Sequence, residues 1–219
     1  MRKLAGTLLG VIAIVGLIAV SADAQSLNRR HQIELRLGMW NQTTDARTEI
    51  GPGAVSTSVE SDGFLGGIAY GRWLEEGLAL TINVGGMAAQ SETRTGLLET
   101  TTETDVVAPI ILSMKYYLPK STYGTSVRPF LKAGVGTFIG VQTIEETSLT
   151  VVTQSRTEMA IGGQLGAGVD FVVGRHFVTG LTIAYNVMND FEEPIGGSRN
   201  YSGPEFVLGF SFVFGRGMN

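Results

Sequence analysis

The feature that most constrains this fold is a strict alternation of apolar and polar residues in segments of about ten residues. In residues 205–214, phenylalanine or leucine occupies every second position from Phe206 to Phe214, whereas Glu205 and Ser211 lie on the other face. This period of two is typical of a β-strand whose two faces meet different surroundings. Beyond the first 24 residues, no apolar stretch approaches the roughly 18 residues that a membrane-crossing helix needs. The alternation therefore predicts an all-β chain.

The alternation recurs along the whole chain, and each segment has the length of a tilted membrane strand, about 9–11 residues. The eight segments are 31–42, 63–74, 78–89, 106–118, 127–142, 158–173, 176–188 and 205–214. Strands can cross hydrocarbon only as a closed barrel, because every backbone N–H and C=O group needs an internal partner there. The pattern predicts an eight-stranded antiparallel up-and-down transmembrane β-barrel.

A water-soluble β-sandwich or lipocalin-like barrel also alternates apolar and polar residues. The connections favour the membrane barrel, because they are long near 43–62, 90–105, 143–158 and 189–204 and short near 74–77 and 173–176. Outer-membrane barrels pair long external loops with short periplasmic turns. A face that carries an aromatic at every second position, as in 206–214, would be costly in water and suits lipid.

The N-terminus has the pattern of a cleavable signal peptide. Arg2 and Lys3 precede an apolar run, and Ala22-Asp23-Ala24 supplies small residues at the cleavage site. We predict cleavage after Ala24, so that residues 1–24 are the signal peptide and 25–219 the barrel. A retained membrane anchor is the alternative. The chain has no cysteine, so neither a lipid-modified cysteine nor a disulfide is expected.

Two segments do not alternate cleanly. In 63–74, either Phe64, Ile68 and Tyr70 or the residues beside them could face lipid, and we prefer the first arrangement. In 106–118, apolar residues share a face with Ser113 and Lys115, which the alternation does not explain. A proline at position 109 removes one ladder donor there and predicts a bulge or irregular pairing.

An eight-stranded barrel is only wide enough inside for its own side chains, so a wide pore is not expected. The inward positions mix both charge signs, and charges in such a space are tolerable when they are paired. We expect a structural plug of salt bridges, with a narrow gated ion path as the alternative. The predicted lumen-lining polar residues are Glu34, Arg36, Asn83, Lys115, Lys132, Gln164, Asp170, Thr182, Asn186, Glu205 and Ser211. Inward glycines on neighbouring strands are expected to leave room for long Arg and Lys side chains; these are Gly134, Gly136, Gly162, Gly166 and Gly168.

The four long connections hold 14 acidic residues against four arginines, so the external face is predicted to be acidic. Such charge is mostly simple solvation of loops. A functional alternative is that it attracts cations or bridges through divalent ions to lipopolysaccharide. Either way, the negative field disfavours nucleic acid as a partner.

Catalysis is not expected. The two histidines, His31 and His176, both fall at the predicted periplasmic end, and neither has a serine beside it in a recognisable motif. Nucleophilic catalysis needs a base beside its nucleophile, and a metal site needs three or four converging ligands. We therefore predict no catalytic, cofactor-binding or metal-binding residues and no cofactor.

Three segments carry a family resemblance: residues 128–136, 166–171 and 209–216. With them, the chain resembles the outer-membrane β-barrel domain family of small eight-stranded barrels, which includes OmpA-like and OmpX-like proteins. The resemblance implies a monomer in the outer membrane of a Gram-negative bacterium. It implies contact with membrane lipid and lipopolysaccharide, and delivery by periplasmic chaperones to the barrel assembly machinery. That machinery recognises a closing strand with a terminal aromatic, here Phe210, Phe212 and Phe214.

The leading functional hypothesis is a structural or surface-interaction barrel without a wide pore. An adhesin of the OmpX kind would need strands that protrude above the membrane, and the threonine-rich stretches 43–61, 93–104 and 143–157 could supply them. The alternative is a narrow channel for ions or small hydrophobic molecules, as in OmpW-like proteins. A lipid A-modifying enzyme, as some small barrels are, ranks last.

Overall fold

The computed structural model describes residues 30–41, 63–75, 77–95, 100–119, 126–147 and 151–215. The predicted signal peptide and its cleavage site lie outside these residues. Eight strands make up the fold: β1 (His31–Trp40), β2 (Gly63–Glu75), β3 (Leu78–Thr95), β4 (Thr100–Tyr117), β5 (Val127–Thr147), β6 (Val151–Val173), β7 (Phe177–Met188) and β8 (Gly203–Phe214).

The strands follow one another around a closed barrel, and each pairs antiparallel with its sequence neighbours. β1 and β8 close the ring through ten paired positions, from His31 opposite Phe214 to Trp40 opposite Glu205. Closure leaves no edge strand in the part of the wall that lipid surrounds, so the ladders there satisfy the backbone groups internally apart from local irregularities. The predicted fold class, an eight-stranded antiparallel up-and-down barrel, is confirmed.

The outer surface of the barrel carries the apolar side chains that the alternation assigned to lipid. In β2, Phe64 is 62% exposed and its neighbour Leu65 only 2%. The preferred arrangement of this strand, with Phe64, Ile68 and Tyr70 outward, is thus the one observed. Exposed apolar side chains on this scale would be unfavourable in water and are expected against hydrocarbon. Among the described residues, no helix is long and apolar enough to cross a membrane.

Four strands are much longer than the bilayer requires, and this corrects the expected loop bounds. The β3–β4 ladder runs out to Thr95 opposite Thr100, and the β5–β6 ladder to Thr147 opposite Val151. Most of the connections expected at 90–105 and 143–158 is therefore strand. Both faces of a strand beyond the membrane meet water, so no apolar alternation is required there. The connection expected at 43–62 lies outside the described residues.

β4 pairs irregularly with β3 near Pro109, as predicted. The paired positions pass from Val84 opposite Ile110 to Met87 opposite Val107, so two pairs are missing at Pro109 while the register is kept, and the register shifts between Ala88 and Gln90. On its other side β4 pairs with β5 at every position from Thr100 to Tyr117. Because proline has no N–H to donate, the ladder tolerates Pro109 by losing pairs on one side only.

The inward glycines allow close contacts inside the barrel. A Cβ on Gly136 would collide with the carbonyl oxygen of Ile110, and one on Gly168 would collide with the ring of Phe130. These positions admit neighbouring backbone and, at Gly162 and Gly168, phenylalanine rings. That the inward glycines also leave room for long Arg and Lys side chains stays a prediction.

Candidate functional site

The polar residues predicted to line the lumen all lie inside the barrel. Buried in its middle are Glu34, Arg36, Lys115, Lys132, Gln164, Asp170 and Glu205, together with Asn83, Thr182, Asn186 and Ser211. We call this group the ionic layer. Its members come from seven of the eight strands, all except β2. The ionic layer holds three carboxylates and three cations, Arg36, Lys115 and Lys132.

A chain of ion pairs crosses the ionic layer from β6 to β8. Lys115 Nζ lies 3.6 Å from Asp170 Oδ2 and 3.4 Å from Glu34 Oε2. Arg36 Nε lies 3.7 Å from Glu34 Oε1, and the Arg36 guanidinium continues to Glu205 Oε1 at 2.6 Å. The side chains of these five residues are at most 8% exposed. Each charge therefore has an opposite charge within 4 Å, which is the condition for burying it.

Glu205 is the most connected acceptor of the ionic layer. In addition to Arg36, it accepts hydrogen bonds on Oε2 from Gln164 Nε2 at 2.9 Å and from Asn186 Nδ2 at 2.8 Å. Gln164 also donates to Asn186 Oδ1 at 2.9 Å. Glu205 thereby joins β1, β6 and β7 to its own strand, β8. It lies next to the seam where the barrel closes.

An apolar layer closes the external end of the lumen. Its members are Trp40, Leu65, Met87, Val107, Ile111, Phe138, Ala160, Met188, Phe191, Ile195, Tyr201 and Val207. Three of them, Phe191, Ile195 and Tyr201, belong to the connection between β7 and β8 and fold back over the barrel mouth. Tyr201 donates its hydroxyl to the carbonyl of Ile195, which holds this cap closed on itself. The apolar residues of β4 that share a face with Lys115 belong to this layer, which explains the broken alternation there.

Asp105 lies under the cap, above the lipid-facing residues of β4. Its side chain is fully buried, and neither carboxylate oxygen accepts a well-formed hydrogen bond among the described residues, although the Gly196 N–H and the Gln142 side chain partly stabilise the charged form. Burial, and then the charge of nearby Glu103, raise the pKa of Asp105 to about 6. Tyr201 is close by, and burial, together with the Asp105 charge, raises the pKa of its hydroxyl. The cap thus rests on a carboxyl that is more easily protonated than an exposed one.

An aromatic layer closes the periplasmic end. Trp73 and Tyr117 stack with ring centroids 4.4 Å apart, and Phe130 packs against Tyr117 at 5.4 Å. The Arg128 guanidinium lies over the Trp73 ring, 4.6 Å from its centroid. The Tyr117 hydroxyl donates to Asp170 Oδ2 at 2.6 Å and so joins this layer to the ionic layer.

The two apolar layers were not predicted from the sequence. Reasoning from the alternation picked out the polar inward residues and left aside the aromatic ones, such as Trp40, Trp73 and Phe138, that share their faces. Part of the signal was available: in β4 and β5, large apolar residues occupy inward positions above and below the polar ones. The sequence does not show which inward positions of different strands lie at the same height along the barrel axis.

The remaining candidate residues lie on the outside of the barrel or at its periplasmic rim. Phe210, Phe212 and Phe214 point outward from β8, as a lipid-facing closing strand requires. His31 stacks between Tyr70 and Phe214, and His176 stacks on Phe212. Among the described residues, no group of three or more His, Cys, Asp or Glu side chains is placed to hold a metal ion.

Comparisons with known proteins agree with this architecture. The sequence profile of the outer membrane protein beta-barrel domain matches residues 11–214. A search of curated proteins found no match. The N-terminal β-barrel domain of Pseudomonas aeruginosa OprF is similar at 17% identity, over 87% of this chain and 100% of that chain, with a TM-score of 0.37. Ail, the attachment invasion locus protein of Yersinia pestis, is similar at 10% identity, over 85% and 99% of the chains, with a TM-score of 0.45. OprG from Pseudomonas aeruginosa is similar at 14% identity, over 88% and 100%, with a TM-score of 0.45.

The family profile spans nearly the whole chain, and it covers all eight strands. The resemblance that the three sequence segments indicated is thereby confirmed. The chain belongs to the outer membrane protein β-barrel domain family, and it is a barrel of the Gram-negative outer membrane.

Proposed function

We propose that this protein is a non-conducting barrel with a structural or surface-interaction role at the cell surface. The observation that carries the proposal is the filled lumen. Three successive layers of side chains occupy it: apolar and capped at the external end, ionic in the middle, and aromatic at the periplasmic end. A continuous water path would have to displace side chains from all three.

The ionic layer supports a structural rather than a conducting role. A permeating ion needs charges that it can approach and leave, whereas Lys115 and Arg36 are each engaged by two carboxylates in the interior. Opening the chain of ion pairs would leave buried charges without partners, at a cost of several kcal/mol. A narrow ion path is the competing function, and it requires this chain to open.

The sheet that projects above the membrane supports surface interaction. β4 and β5 pair out to Thr100 opposite Thr147, and β3 and β6 flank them on either side. In the described residues, the β2–β3 ladder ends at Met87 and the β6–β7 ladder begins at Gly162. Among the described residues, the outer parts of β3 and β6 have a strand neighbour on one side only, and such edges accept further strands.

The partners follow from this placement. We propose contact with membrane lipid along the barrel wall and with lipopolysaccharide around the external sheet, and a monomer as the working state. Periplasmic chaperones and the barrel assembly machinery would act on the chain before it folds, with Phe210, Phe212 and Phe214 as the assembly signal. We assign no catalytic role to His31 or His176, which stack on aromatic rings at the periplasmic rim.

Planar-bilayer recordings on the refolded protein test the absence of a pore. We expect no steps above the baseline, with a porin of known conductance as the positive control. Reproducible single-channel steps from protein that shows heat-modifiable gel migration would favour the narrow channel and refute the proposal.

A shortened variant tests the projecting sheet. Replacing residues 142–156 with an Asn-Gly turn joins Val141 to Thr157, which are already opposite each other in the β5–β6 ladder. The barrel should still form and still show heat-modifiable migration. A non-adherent Gram-negative host that displays the full chain should attach to surfaces or to other cells more than a host with the shortened variant. Equal attachment by both hosts would speak for a purely structural role.

A further inference from the structure

The periplasmic rim of the barrel carries a continuous row of aromatic and imidazole rings from β2 across β1 and β8 to the β6–β7 turn. His31 lies 5.9 Å from Tyr70 and 5.7 Å from Phe214, centroid to centroid, and shares a 2.5 Å hydrogen bond with the Tyr70 hydroxyl through Nδ1. Phe214 lies 6.4 Å from Phe212, which in turn lies 5.9 Å from His176. Aromatic and imidazole rings suit the boundary between acyl chains and headgroups, because one end is apolar and the other polar.

An apolar groove opens above one part of this row, on the lipid-facing side of β1, β8 and β7. It encloses about 380 Å³, and its walls are almost entirely hydrocarbon. Ile33 and Leu35 form one wall, and Phe177 and Val173 form the other, with Phe210 between them. The groove runs along the barrel wall from the periplasmic end of the barrel. An acyl chain of the periplasmic leaflet lies in the same direction.

The cationic turn between β6 and β7 borders the periplasmic end of this groove. Arg175 and His176 are both exposed there, between Gly174, which follows Val173, and Phe177. Arg30 donates from its guanidinium to the Arg175 carbonyl at 3.2 Å, which ties the turn to the start of β1. No described residue forms an ion pair with the Arg175 guanidinium. A planar guanidinium on an interfacial turn is well suited to a phosphate oxygen.

We propose that this groove and turn bind one acidic glycerophospholipid of the periplasmic leaflet. The acyl chain lies between Ile33 and Phe177, and the headgroup phosphate faces Arg175 and His176. The apolar walls supply affinity for any chain, because each buried methylene is favourable. The Arg175 guanidinium supplies the preference for an anionic headgroup over a zwitterionic one. This site is on the outer surface of the barrel and is independent of whether the lumen conducts.

Native mass spectrometry tests the site on the full refolded barrel, with equal amounts of phosphatidylglycerol and phosphatidylcholine in the detergent micelle. We expect the protein to retain phosphatidylglycerol in preference to phosphatidylcholine. Arg175→Ser should lower that preference about five-fold, which is the effect of one arginine at a membrane surface. Phe177→Ala should lower the retention of both lipids, since it removes a groove wall without changing charge.

Arg72 provides the matched control. It is also exposed at the periplasmic rim, but it lies on β2, across β1 from the groove. Arg72→Ser makes the same change in charge and should leave the lipid preference unchanged. Equal losses from Arg72→Ser and Arg175→Ser would overturn the proposal, because they would indicate general attraction to a basic rim. Equal retention of both lipids by the wild type, or dimers without lipid, would also overturn it.

Heat-modifiable migration verifies that each variant is folded. If Arg175→Ser does not fold, Arg175→Gln removes the same charge with a longer side chain and gives the same readout.

Discussion

Removing the Glu205 carboxylate should destabilise the barrel more than any other single change in the ionic layer. Glu205→Ala leaves the Arg36 guanidinium without its 2.6 Å partner and Asn186 Nδ2 without its 2.8 Å acceptor. Removing one partner of a buried ion pair costs about 3–5 kcal/mol. The loss of the acceptor for the Asn186 amide adds to this cost. Glu34, 3.7 Å from Arg36, compensates in part for the missing negative charge. We expect a loss of about 4 kcal/mol in the free energy of unfolding, in the middle of that range.

Urea titration of the protein in lipid vesicles measures this loss. With a denaturant slope of about 2 kcal/mol per molar, the midpoint should fall by about 2 M while the slope stays unchanged. Trp40 and Trp73 are buried inside the barrel and report unfolding by fluorescence. Loss of the heat-modifiable gel shift gives an independent readout.

An exposed ion pair provides the control for this measurement. Glu193 pairs with Arg156 outside the membrane, and its side chain is 56% exposed. Glu193→Ala should change stability by about 0–1 kcal/mol, because solvent screens the pair. If Glu205→Ala and Glu193→Ala shift the midpoint equally, the ionic layer does not hold the barrel together. The double variant Arg36→Met with Glu205→Leu should recover part of the loss, because the Arg36 charge is then removed together with its partner.

Three further predictions follow from particular contacts. The pKa of Asp105 is raised to about 6 from 3.8, so the folded state binds more protons than the unfolded state between these pH values. The free energy of unfolding should therefore fall as the pH rises from about 4 to 6. The urea midpoint of Asp105→Asn should lack this pH-dependent decrease. Gly136→Ala places a methyl group against a neighbouring carbonyl and should abolish the heat-modifiable band, whereas Gly66→Ala, whose nearest contact would be 3.8 Å, should migrate like the wild type. Tyr117→Phe removes a 2.6 Å hydrogen bond to the Asp170 carboxylate and should lower the unfolding free energy by about 1.5–3 kcal/mol in the same titration; an unchanged midpoint would show that this bond is not stabilising.

The face that each strand residue occupies could be predicted from the sequence, because side-chain direction in a strand alternates with a period of two and needs no knowledge of other strands. This local rule placed Glu34 and Arg36 inward and Phe206 outward. It could not fix the outer ends of the strands. Beyond the membrane both faces meet water, so the threonine-rich stretches at 93–104 and 143–157 lose the apolar pattern, while the backbones of their described residues continue to pair.

The number of strands, their length within the membrane and the lipid-facing residues were determined by the sequence itself, because the bilayer imposes its thickness and polarity on every strand separately. The layering of the lumen was decided only by the tertiary structure. Arg36 meets Glu205 at a separation of 169 residues, and Lys115 meets Glu34 at a separation of 81. Which inward residues share a height depends on the register of all eight ladders together. That register brings polar positions from seven strands into one ionic layer and places the apolar layer above it and the aromatic layer below it.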